Sequence, residues 1–119
     1  MKREELIIIR ELLEKSENEL YLELSIVSSS RSFEYSVEDL NKAISKGKEI
    51  VSRQMNIIKE SICSNDYITK LATSKSYEDK VMLVSAIADL LAATVIAISP
   101  ITVAALLVKQ GVPALCNKT

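Results

Sequence analysis

Between Val81 and Val108 the chain reads VMLVSAIADLLAATVIAISPITVAALLV, 28 residues in which Asp89 is the only charge. No other stretch restricts the fold so strongly. A run of this kind either crosses a bilayer or fills the centre of a protein core. Its length suffices for a spanning helix of about 20 residues. Its details resist insertion. Asp89 sits at the middle of a window from Val81 to Ile98, where a charge costs about 2.5–3.5 kcal/mol, close to everything the surrounding aliphatics return. Moving the window to Leu90–Val108 removes the acid but places Ser99–Pro100 at mid-membrane, where a break needs cover from other protein. The run is therefore expected to be a helical hairpin buried in a protein core. Membrane insertion of the same hairpin is the alternative.

Ser99–Pro100 also marks where the hairpin divides. Ser is a preferred helix N-cap and Pro a preferred first helical residue, so a helix is expected to start at Pro100. Gly111 suits the left-handed position that ends it, with Lys109 in the last turn and Pro113 just beyond. The preceding helix is expected to start at a capping box, Ser76–Asp79, and to run to about Ile98. Ser85, Asp89, Ala92, Ala93 and Ile96 give that helix a small or polar face, suited to close contact with another helix.

Two Gly and two Pro among 119 residues leave few turn formers, and this points to long helices. The first is read from about Arg3 to Ser28. Leu6, Leu13, Leu20 and Val27 repeat every seven residues, with Ile9 and Leu24 beside them. From Leu20 to Val37 a β-hairpin is the rival reading, since Leu20, Leu22, Leu24 and Ile26 also alternate. The helix is preferred because the seven-residue repeat continues into this region. A Ser-rich joint follows. A second long helix is expected from Ser36, capped by Ser36 and Asp39, to Cys63. Val37, Leu40, Ile44, Gly47, Val51, Met55, Ile58 and Ile62 lie on its stripe. Gly47 on that stripe predicts a neighbouring helix at close range. A short helix is expected from Asp66 to Thr73.

These elements make one all-α domain over residues 1–119, a small four-helix bundle-like fold. Residues 1–63 form an amphipathic helical hairpin. Residues 64–119 add the short helix and the apolar hairpin. The opening residues do not resemble a secretory signal. Cys63 and Cys116 match no metal-ligand spacing and are read as reduced thiols in a cytoplasmic chain.

The residue inventory excludes much chemistry. The chain has no histidine, so it lacks the commonest general base and metal ligand, and no Ser-His-Asp or Cys-His arrangement exists within it. Two glycines build neither a P-loop nor a dinucleotide fingerprint. Catalytic residues, cofactors and metals are all expected to be absent. Glu4, Glu11, Glu14 and Glu17 read as a solvated face, and Glu38 and Asp39 as first-turn acids. Asp89 is the one candidate buried or functional acid. Lys42, Lys46 and Arg53, with Lys48 and Lys59 nearby, form a basic stripe that Glu49 and Glu60 interrupt. With a net charge of −1 and no aromatic interleaving, nucleic-acid binding is disfavoured.

What remains is an interaction module that self-associates or docks on a partner protein. Leu106, Val108, Val112 and Leu115 are its candidate contact residues, at the end of the last helix and in the tail. The alternative is a small membrane-inserting protein, a pore former or anchored regulator, using residues 81–108. A carboxylate-only enzyme is the third and weakest reading. The Ile-, Lys- and Ser-rich composition is common in bacteria with AT-rich genomes.

Overall fold

The computed structural model describes residues 3–29, 37–94 and 99–116. Among them there are helices and no strand: α1 (Arg3–Glu14), α2 (Glu17–Ser29), α3 (Val37–Arg53), α4 (Met55–Cys63), α5 (Asp66–Leu71), α6 (Tyr77–Thr94), α7 (Pro100–Gln110) and α8 (Val112–Cys116). The all-α expectation holds. No β-hairpin forms at Leu20–Ser29, which is helical; Phe33, Tyr35 and the cap at Ser36 lie outside the described residues.

Both long helices of the N-terminal half are broken once, contrary to expectation. The first break is at Lys15–Ser16. Ser16 starts a second helix with a complete capping box. Its hydroxyl accepts from the Glu19 amide at 3.2 Å, and its own amide donates to the Glu19 carboxylate at 3.0 Å. Lys15 then spans the elbow, its ammonium 2.7 Å from the Glu23 carboxylate. The second break is at Gln54, where the backbone tightens: the Gln54 amide donates to the Val51 carbonyl at 3.1 Å, and α4 restarts with Ile58 donating to Gln54. The apolar stripe survives this break, since Ala43 and Val51 in α3 and Ile58 and Ile62 in α4 are all buried.

The later boundaries follow their side chains. Asn65 caps α5 by accepting from the Ile68 amide at 3.0 Å. Ser76 caps α6 by accepting from the Asp79 amide at 3.1 Å, while the Asp79 carboxylate takes the Ser74 hydroxyl. The short Asp side chain thus serves a neighbouring group rather than closing the box. Ser99 caps α7, accepting from the Thr102 amide at 3.4 Å, with Pro100 as first residue. Gly111 ends α7 at φ +101°, in the region that favours glycine. Pro113 does not simply follow the helix, because a short helix, α8, contains it.

The core is organised around α7. Six consecutive residues, Thr102 to Leu107, are buried, so this helix is covered on all sides. It packs against α1, α2, α6 and α8. In contrast, α6 is covered on one side. Val81, Leu83, Val84, Ile87 and Leu91 are buried, whereas Met82, Asp89, Ala92 and Ala93 are exposed. The expectation that both helices of the apolar stretch are enclosed is therefore corrected for α6. Residues 95–98, between the two helices, lie outside the described residues.

Cys63 at the end of α4 and Cys116 at the end of α8 form a disulfide, their Cα atoms 5.4 Å apart. The expectation of two reduced thiols is thereby overturned. Spacing along the sequence carried no sign of it, because 53 residues separate the pair and only the fold brings them together.

Candidate interaction site

The expected contact residues divide in the structure. Leu106 and Val112 are 1% and 2% exposed and belong to the core, so neither offers a surface to a partner. For Leu106 the reason is the central position of α7, which turns every side of its middle turns inward; Val112 opens α8, which packs on α7 and α4. Val108 and Leu115 are half-buried at the margin of the core. Val108 lines a surface groove with Leu13, Glu17, Tyr77, Lys80 and Lys109. Two of the polar groups there, Lys109 and Glu17, already serve the fold. The Lys109 ammonium donates to the Leu13 carbonyl at 2.9 Å, in the last turn of α1. The neighbouring Gln110 amide donates to Glu17 at 3.1 Å and to the Tyr21 hydroxyl at 2.8 Å.

Asp89 is exposed, not buried. It lines a second groove with Glu5 from α1, Tyr67 from α5, and Met82, Ser85 and Ala86 from its own helix. The spacing explains the α6 contribution. Met82, Ser85, Ala86 and Asp89 stand at i, i+3, i+4 and i+7, which is one face of a helix. Tyr67 is 57% exposed and Met82 44%, high values for large apolar side chains on a small helical domain. Sequence reasoning found part of this face, Ser85 and Asp89, as one suited to close contact with another helix. Among the described residues it lines an open groove: Ala92 and Ala93 further along are exposed, and Ile96 lies outside the described residues. Met82 could have been added from its helical register. Glu5 and Tyr67 carry no such signal, because only tertiary packing brings three helices to one groove.

Several other charged groups among the described residues are solvated or paired within the fold. Glu4, Glu11, Glu14 and Glu17 are exposed, as expected of a solvated face. Arg53 pairs with Glu49 one turn earlier. Lys48 lies 5.7 Å from the centre of the Tyr21 ring, within cation–π range. At the α1–α2 elbow, the Ser16 amide and then its hydroxyl hold the Glu19 carboxyl below its ordinary value. The hydrogen bond from Lys15 to Glu23 holds the lysine above its own. Among the described residues, no three His, Cys, Asp or Glu gather as a metal site. No helix there is long and apolar enough to cross a membrane.

Comparison of the chain with protein-family models, with curated proteins and with solved structures returned no match.

Proposed function

We propose that this chain is a non-enzymatic helical module that docks on a partner protein. The observation that carries the reading is the α1–α5–α6 groove, which gathers two of the exposed large side chains, Tyr67 and Met82, into one lining. The residue inventory supports it, since the chain has no histidine and both cysteines are committed to a disulfide. We read the architecture as a four-helix bundle-like domain. In it, α1–α2 and α3–α4 act as two long, broken helices, and α6 and α7 as an apolar hairpin. The packing of α2 on α3 and of α6 on α7 supports that arrangement. The burial of Thr102–Leu107 under α1, α2 and α6 favours a protein core over a lipid-inserted hairpin.

A structural disulfide persists where thiols are not kept reduced. In place of the cytoplasmic setting we therefore propose an oxidising compartment. Alkylation of thiols in freshly extracted protein tests this, and full labelling of Cys63 and Cys116 without added reductant would refute it.

The module reading is tested with a photo-crosslinking residue at Met82 in the full chain in its native host. The expected result is one discrete crosslinked species. A purified chain that is monomeric by light scattering and yields no crosslinked species ends the reading. Recovery only from membranes or detergent restores the inserting alternative.

A further inference from the structure

We propose that the α1–α5–α6 groove seats a basic helix of a partner protein, with a Lys or Arg side chain lodged between Glu5 and Asp89 beside the Tyr67 ring. The inference rests on the docking reading above and names the chemistry of the partner. The floor of the groove is the α6 stripe Met82, Ser85, Ala86 and Asp89. Exposed Ala93 continues the stripe one turn beyond Asp89. From Met82 to Ala93 it runs about 16 Å at about 1.5 Å per residue, three turns of a docked helix. Small side chains at Ser85, Ala86 and Ala93 let a second backbone come close, and Met82 adapts its shape to apolar neighbours.

Charge selects the occupant. Among the described residues the lining holds two carboxylates and no lysine or arginine, whereas the grooves near Val108 and on α3 are lined by both signs. Glu5 from α1 and Asp89 from α6 line the same groove. A guanidinium fork or an ammonium meets both, and the exposed Tyr67 ring adds a cation–π surface. A second copy of the same groove fits poorly. A two-fold contact through α6 brings a second pair of the same carboxylates and no described cation of the lining to answer them. The partner is therefore a different surface, apolar on one stripe and cationic beside it.

The test uses the full oxidised chain, labelled with 15N, and two helical probe peptides of about 18 residues. One is built of Leu, Ala and Lys, and the other has every Lys replaced by Glu. The expected result is that the Lys peptide perturbs amide signals at Glu5, Tyr67 and Met82–Ala93, and the Glu peptide does not. In the double variant Glu5→Lys, Asp89→Lys the preference reverses, with the Lys peptide weakened about tenfold or more. Both positions are exposed, so far-UV circular dichroism is expected to be unchanged. Ser85→Arg, which blocks the floor, abolishes the groove signals for either peptide. Perturbations that map outside the groove, or a charge swap without effect, overturn the proposal and leave the module reading standing. Concentration-dependent shifts at the groove without any peptide show that another copy occupies it, which also overturns it. No binding of either peptide, together with no crosslinked species at Met82, ends both readings.

Discussion

Gly47 of α3 lies directly against the backbone of Tyr21 in α2. A β-carbon built on Gly47 would fall 2.1 Å from the Tyr21 carbonyl oxygen and 2.7 Å from its carbonyl carbon. No side chain fits there without moving the helices apart, because the obstacle is backbone and not the end of a flexible chain. Tyr21 is fixed on its other sides as well, with Lys48 near its ring and Gln110 donating to its hydroxyl. Gly47→Ala is expected to destabilise the fold by about 1–3 kcal/mol, the ordinary cost of overpacking. In an exposed helix the same change would gain about 1 kcal/mol. Urea unfolding of the variant decides the sign.

Opening the Cys63–Cys116 bond releases a long closed loop in the unfolded chain. The chain-entropy relation assigns such a loop, with 53 residues of separation, about 4 kcal/mol. Unfolding with and without reductant is expected to differ by that order. A double Cys63→Ser, Cys116→Ser variant should match the reduced protein.

The elbow between α1 and α2 predicts a pH signature. Glu19 is held below its ordinary value, so its capping contribution is present above the usual carboxylate range and is lost as pH falls through the lowered value. Lys15 is held above its ordinary value, so its contribution is present below the usual lysine range and is lost as pH rises through the raised value. Ser16→Ala is expected to cost about 1 kcal/mol at neutral pH. The stability gap between the native chain and Glu19→Ala should close on acidification. Midpoints of urea unfolding measured from neutral pH down to about pH 3 check this.

Lys109 joins the end of α7 to the end of α1. Its ammonium meets the Leu13 carbonyl, one of the orphan acceptors of a helix C-terminus. Lys109→Met keeps the stem and removes the charge. It should cost about 0.3–1 kcal/mol, the range for a cation at this position. Amide exchange should show the last turn of α1 loosening first.

Leu106 discriminates core from contact surface. Being 1% exposed, it should behave as a cavity site, with Leu106→Ala costing about 2–5 kcal/mol in stability. Binding measured under conditions where the variant is folded should be unchanged.

Local signals were readable and tertiary ones were not. Ser99–Pro100, Ser76 and Gly111 set their helix ends through their own backbone and side-chain chemistry, so each boundary was visible in a few letters. Gly47 was visible as a missing side chain on an apolar stripe. The break at Ser16 was also written locally, as Ser16 followed by Glu19, but the repeat of Leu6, Leu13 and Leu20 concealed it. Spacing reports which positions are apolar, not whether the helix axis bends between them. Gln54 offered no comparable sign. The central place of α7, the exposure of Asp89 and the meeting of Glu5 with Tyr67 depend on which helices pack together. So does the disulfide, whose geometry exists only after folding.

The bond between Cys63 and Cys116 also makes α5, α6, α7 and α8 part of a covalent ring, with α1 to α4 as an appended arm that joins it at Cys63. A single peptide cut at any bond between those two cysteines therefore leaves one molecule, which parts only on reduction. A single cut before Cys63 separates two pieces at once. Limited proteolysis followed by reducing and non-reducing gels would thus report on which side of Cys63 the chain first opens.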